Sequence, residues 1–435
     1  MLMTATAAGP TGPTTIIPRT RVLAWGLWDW GGAAFNAVVT TFVFTVYLTG
    51  KSFGGEAFVS AQLGWTLGVA GILVALLAPI TGQRSDVSGR RKFWLAVNTY
   101  IVVVVTALMF FVEPSPSYLW LGLLLLAVGT VFFEFASVNY NAMLTSVSTR
   151  ATIGKVSGFG WSMGYFGGIV LLLIVYFGLI HPAPDGDNGL AVRLSMLIAA
   201  AWLGLFALPV LIAVPEYTAP AASRREKVSF FGSYVRLGHD IARLWRTSRH
   251  TVYFLIASAV FRDGLTGVFT FGGILAAGTF GFSAGEVIIF AIAANVTAGV
   301  STVVIGRLDD RIGPKPVIVG ALVGLVICGL AVFFLHDAGQ TAFWVFGLAL
   351  CLFVGPAQSA SRSFLARVIP AGREGEVFGL YATTGKAATF LAPTAFAIFV
   401  TIGGAQYWGI LGIVLVLAVG LAVLIPVSAK QPELS

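Results

Sequence analysis

Twelve apolar runs, separated by short polar stretches, dominate the pattern along this chain: 22–48, 57–81, 93–112, 119–141, 158–180, 191–214, 250–279, 284–306, 316–335, 341–362, 377–400 and 407–427. A helix rises about 1.5 Å per residue, so about 20 residues cross the roughly 30 Å hydrocarbon layer of a bilayer. The runs are longer than a strand and lack the alternating polar face of a porin. Helices are then the backbone state that satisfies its own amides in lipid. The pattern predicts an all-α membrane protein, a bundle of 12 transmembrane helices.

The polar stretches divide the chain further. Residues 1–21 read as a disordered tail, because Thr, Pro, Ala and Gly predominate up to residue 18 and no apolar core suggests a cleaved signal. A six-helix domain follows over 22–214, a linker over 215–249, a second six-helix domain over 250–427 and a short tail over 428–435. In the linker, Phe230, Phe231, Tyr234, Leu237, Ile241 and Leu244 fall at one-face helical spacing, which predicts an amphipathic helix lying on the membrane surface.

Composition supports this division: 57% of the 435 residues are hydrophobic and 10% charged, against about 25% charged in an ordinary soluble domain. Charge then sets orientation. All of the 26 Lys and Arg except Lys51, Arg193, Arg262 and Lys386 fall in tails, loops or helix edges on the N-terminal side. By the positive-inside rule both termini are cytoplasmic. The formal charge of +8 is thus largely topology, and nucleic acid is not an expected partner. Cys328 and Cys351 lie in apolar runs, the four His are scattered, and no Walker sequence occurs. No metal, cofactor or enzymatic chemistry is expected.

The chain also repeats itself. GQRSDVSGRRK after the second run places Gly82, Asp86, Gly89 and Arg91 where GRLDDRIGPK after the eighth places Gly306, Asp310, Gly313 and Lys315. Val156, Gly158 and Gly164 similarly match Val377, Gly379 and Gly385. Two matches in order imply two related halves. Six spans per half is an even number, so the repeats are parallel and can open one central site to alternate sides. The glycines suit tight turns, and the acids suit helix-end contacts beside Arg90, Arg91, Arg311 and Lys315, which marks these loops as gating candidates. A basic topogenic loop with an ordinary turn is the plainer alternative.

These paired loops resemble the signature loops of the major facilitator superfamily. Longer stretches resemble its bacterial branch related to the yeast vacuolar amino-acid effluxer of autophagy. They are AWGLWDWGGAAFNAVVTTFVFTVYL at 24–48, NYNAMLTSV at 139–147, GKVSGFGWSMGYFGG at 154–168, FRDGLTGVFTFGGILAAGTFG at 261–281 and SASRSFLARVIPAGREGEVFGLYATTGKAATFLAP at 359–393. The resemblance covers nearly all of 22–426. It implies a two-domain secondary transporter whose first and fourth helices line the cavity.

Charge inside a membrane is costly, so buried ionisable residues are functional candidates. Asp29 and Glu134 lie at similar depth and are expected to be close, which makes them proton-coupling candidates together with Asp263. Alternatively, Asp29 pairs with an indole or amide, and Glu134 with Arg150 or Lys155. Arg262 and Asp263 point about 100° apart on one helix. Lys386 sits near mid-membrane with Asp263 as a plausible partner, and Arg262 or Lys386 suits a substrate carboxylate. Asn36, Asn139, Tyr140, Asn141, Asn295, Gln358 and Ser361 can orient a polar solute. Trp28, Trp30, Trp161 and Tyr381 can wall it in. Glycines in GYFGG at 164–168 and GGILAAG at 272–278 are placed for close helix packing.

The resulting expectation is a secondary active transporter, monomeric, moving a small polar or zwitterionic solute such as an amino acid, with proton coupling as an open option. An exporter of amphiphilic or drug-like compounds and a non-transporting receptor or scaffold are the alternatives.

Overall fold

A computed structural model describes residues 17–148, 153–184, 187–216, 230–368 and 374–428. Among them are twelve helices long and apolar enough to cross a membrane. The first six are Arg19–Leu48, Glu56–Gly82, Arg91–Phe111, Pro116–Ala142, Gly158–Ile180 and Leu190–Ala213. The second six are Arg249–Gly278, Ala284–Thr302, Pro314–Phe334, Gln340–Leu365, Leu380–Gly403 and Gln406–Leu424. No described residue forms a strand. A further helix, Phe230–Thr247, precedes the seventh span, and the hydroxyl of Tyr234 on it donates to the Leu76 carbonyl. The termini of the chain and residues 217–229 lie outside the described residues.

Burial follows position in the bundle. The first and seventh spans are the most enclosed, whereas Ile212, Phe334 and Ile402 are largely exposed, as side chains meeting lipid tails would be. Consecutive spans alternate in direction, giving a basic face with Arg90, Lys92 and Lys315, and an opposite face with the loops after the first, third and fifth spans.

The halves are pressed together by small residues. Gly64, Gly68 and Gly71 on the second span face Ala397, Thr394 and Phe390 on the eleventh, at distances that leave no room for an added methyl group. Gly273 likewise abuts the Thr41 carbonyl across the first and seventh spans, and Gly167 abuts the Trp30 carbonyl within the first half. Both glycine-rich segments thus pack as their spacing predicts. Toward the opposite face, Gln406 Nε2 donates to Ser60 Oγ at 2.9 Å and Thr279 Oγ1 donates to Gln406 Oε1 at 2.9 Å. These contacts join the second span to the seventh and twelfth.

The first and eleventh spans depart from regular α-helix where they meet the other half. The first widens to π-helix over Ala34–Phe42, a break that frees backbone groups and commonly marks functional positions. The eleventh is split into Glu374–Ala387 and Leu391–Gly403. The second piece begins deep in the bundle, so its first amides need an acceptor from elsewhere.

Candidate functional site

The acceptor for that broken helix is Asp263. Its Oδ2 takes a hydrogen bond from the Ala392 amide at 2.6 Å, a tertiary version of an N-cap in which negative charge meets the positive end of the helix dipole. The expected pairing of Asp263 with Lys386 is therefore corrected: the carboxylate is occupied by backbone, and Lys386 points to the other half. Its Nζ donates to Glu134 Oε2, joining the eleventh span to the fourth across the seam between halves. About a quarter of each side chain is exposed. Ser137 Oγ also lies 3.4 Å from the same carboxylate oxygen.

Asp29 takes a different route. Its Oδ2 accepts from the Tyr140 hydroxyl at 2.9 Å, and the Tyr140 ring lies between Trp25, 4.5 Å away, and Trp28, 4.3 Å away. Trp28 Nε1 donates to Thr99 Oγ1 at 3.1 Å, and Trp25 Nε1 to the Tyr140 carbonyl at 3.2 Å. Gly160 on the fifth span leaves space for the acid, since a Cβ there would come within 3.0 Å of Asp29 Oδ2. The two first-half carboxylates are thus held by separate partners rather than by each other. Asp29 sits in an aromatic box and Glu134 at the seam.

On the second half, cations gather around Tyr381. Arg262 Nη1 donates to the Tyr381 carbonyl at 3.2 Å, and its guanidinium carbon stands 4.1 Å from the ring centroid. The Tyr381 hydroxyl is 2.7 Å from Ser361 Oγ. Gly385 makes room for this arrangement, because a Cβ there would lie 2.9 Å from Arg262 Nη1. Arg362, next to Ser361, crosses to the first half and sits 5.0 Å above the Trp161 ring. Gln358 is half-buried one turn before Arg362, on the same helix face.

Other polar residues are less centrally used. Asn139 and Asn141 donate to carbonyls of their own helix, at Phe135 and Ser137, and Asn295 does the same at Ala291. Asn36 is exposed within the otherwise enclosed first span, and its carbonyl accepts the hydroxyls of Thr40 and Thr41. Trp30 packs against Trp202 with ring centroids 6.1 Å apart, inside the first half rather than beside the charges.

The repeated loops share backbone geometry as well as sequence. Gly89 and Gly313 adopt φ of 64° and 86°, values that favour glycine. Their basic neighbours then cap helix ends: Arg91 donates to the Ala142 carbonyl at 3.0 Å, and Lys315 Nζ to the Ile425 and Val427 carbonyls at 2.7 and 2.6 Å. Cations complement the negative end of a helix dipole. Gly82 approaches Val138, and Arg90 and Arg311 are exposed. The side chains of Asp86 and Asp310 and the surroundings of Gly306 lie outside the described residues, as do Arg150 and the side chain of Lys155.

Arg362, Trp25 and Thr99 were not singled out by sequence. The apolar run at 341–362 makes Arg362 look like a helix-edge residue, but the helix continues to Val368, which sets the guanidinium about 9 Å further in. The apolar residues Phe364 and Leu365 beyond it were the available signal. A cavity of about 270 Å³ nearer the opposite face is lined by Phe42, Val46, Phe53, Ile180, Phe282 and Ile288, among others. Its walls are mainly apolar and none of the buried charges lines it.

Residues 45–433 match the family described as Vacuole effluxer Atg22 like. The chain is 28% identical to the Uncharacterized MFS-type transporter YxiO of Bacillus subtilis (strain 168), over 92% of this chain and 93% of that protein. It is 27% identical to Autophagy-related protein 22 of Cryptococcus neoformans var. neoformans serotype D (strain JEC21 / ATCC MYA-565), over 64% of this chain and 51% of that one. A D-xylose-proton symporter superposes with a TM-score of 0.66 at 18% identity, covering 95% of this chain and 98% of that chain. At that identity the likeness is one of fold.

Proposed function

Since this chain belongs to the Vacuole effluxer Atg22 like family and is an MFS-type transporter, we propose that it moves a small polar or zwitterionic solute, such as an amino acid, by alternating access. One observation carries the reading: Glu134 and Lys386 meet across the seam between the two halves, inside the membrane-spanning bundle. Such groups are costly in hydrocarbon and are kept where a polar path runs. Rocking one half against the other would break this contact and expose both charges to a solute carrying the complementary groups.

Asp29 supplies the coupling element in this proposal. It lies on the most enclosed span, and its partner Tyr140 donates to the carboxylate and can accept from the acid once that is protonated. The basic face is cytoplasmic, the chain acts as a monomer in a bacterial cytoplasmic membrane, and Asp86 and Asp310 serve the gate. A second reading, export of amphiphilic compounds, is favoured by the stacked rings of Trp25, Tyr140 and Trp28.

Counterflow in proteoliposomes separates the two. Zwitterionic amino acids or small peptides should exchange and lipophilic cations should not. Exchange restricted to lipophilic cations would replace the first reading with the second, and a wild-type rate independent of pH would remove proton coupling.

A further inference from the structure

The charges at the seam do not balance. Lys386 is neutralised by Glu134, and Asp263 is engaged by the Ala392 amide. Arg262 and Arg362, from the seventh and tenth spans, have no carboxylate partner among the described residues. Arg262 contacts a carbonyl and a ring face, and Arg362 the Trp161 ring face.

Tyr381 links the helices that carry the two guanidiniums. Arg262 covers the Tyr381 ring, while the hydroxyl of that tyrosine bonds Ser361, the neighbour of Arg362. Like charges repel strongly where water is scarce, and ring faces offset only part of that repulsion. Trp161, beneath Arg362, is 47% exposed, and Arg362 itself is only partly buried by surface area.

We propose that Arg262 and Arg362 form one anion-binding subsite, which takes the carboxylate or phosphate oxygens of the transported solute. Guanidiniums suit this task because they are planar, permanently charged and able to give two parallel hydrogen bonds to one oxyanion. Gln358, a turn from Arg362 and half-buried, supplies a further polar contact at its edge. The subsite spans the seam through Trp161, so an anion bound there reports on the distance between the halves. The inference rests on the transport reading above, but its ligand test is a binding measurement that does not require transport.

The test uses the full chain purified in detergent. Thermal stabilisation is titrated with leucine, leucine methyl ester, succinate and glycerol 3-phosphate, for the wild type, Arg362→Gln, Arg362→Lys and Arg262→Gln. At least one of leucine, succinate and glycerol 3-phosphate should bind the wild type, and whichever does identifies carboxylate or phosphate as the source of the anion. Arg362→Gln and Arg262→Gln should each weaken that ligand by about tenfold or more, the loss expected when a charge-assisted contact is removed. Arg362→Lys should retain part of the affinity, because it keeps charge and loses the fork. Arg262→Gln serves as the second test if Arg362→Gln yields no folded protein.

The proposal is overturned if none of the three anions stabilises the wild type at about 10 mM, a concentration that reveals even millimolar affinity. It is equally overturned if leucine binds and its methyl ester binds as tightly, or if neither neutralised variant changes the affinity. Anion binding without counterflow would instead count against transport and leave the subsite standing. Counterflow of neutral solutes alone would do the reverse.

Discussion

Removing the charge of Lys386 should loosen the two halves by a predictable amount. Lys386→Gln leaves the Glu134 carboxylate at the seam without its cation, and Glu134→Gln does the converse. Two unit charges in contact attract by about 4 kcal/mol at an effective dielectric near 20, before the cost of holding them out of water is subtracted. Fully exposed pairs retain about 0–1 kcal/mol of that, and breaking a fully buried pair costs about 3–5 kcal/mol. With 26% and 24% of the two side chains exposed, the pair falls between these limits, and we expect a coupling of about 1–3 kcal/mol. That corresponds to a roughly 5- to 150-fold change in the balance between conformations. The assay is a double-mutant cycle on thermal stability in detergent, run beside alkylation of single cysteines placed at the seam on the basic side. Each single variant should be destabilised and more reactive. Glu134→Gln with Lys386→Gln should be less destabilised than the sum of the two. Strict additivity, with cysteine reactivity unchanged in all three, would refute the cross-half pair.

Asp263→Ala should destabilise the protein by about 1–2 kcal/mol through loss of the Ala392 cap, and the effect should add to that of Lys386→Gln; a double variant that regained stability would restore the Asp263–Lys386 pairing. Gly273→Ala places a methyl group against the Thr41 carbonyl, a backbone atom that cannot swing away, so a loss of about 1–3 kcal/mol in stability is expected, measurable as a lower melting temperature. Tyr140→Phe removes the hydroxyl that holds Asp29 and should alter the pH profile of counterflow at unchanged protein abundance; an identical profile would separate Asp29 from coupling. Cysteine labels in 183–188 should react from outside intact cells and labels in 224–235 only after permeabilisation, and reaction of both from one side would contradict the assigned orientation.

The spans and the duplication were legible before any coordinates. A run of about 20 apolar residues is a length imposed by the bilayer, and in lipid a helix must close its own hydrogen bonds, so hydropathy alone specifies the element and its minimum length. Gly89 and Gly313 were legible for a similar local reason: a turn needing positive φ selects glycine wherever it occurs. The depth of Asp29, Glu134, Arg262 and Lys386 could also be read by counting along each helix.

Their partners could not. Depth is a coordinate along one helix, whereas pairing depends on its rotation about its own axis and on which neighbour it faces. Glu134 meets a lysine 252 positions away, Asp29 a tyrosine 111 positions away, and Asp263 the amide of a helix break that hydropathy does not reveal. Arg362 was hidden differently, because a charged residue near the end of an apolar run looks like its boundary until packing carries the helix past it. Sequence thus determined how far each group lies along its span. Only the packing of the two halves decided which charges cancel and which two guanidiniums remain, because electrostatic pairing is set by distances of a few ångströms between helices that local sequence does not encode.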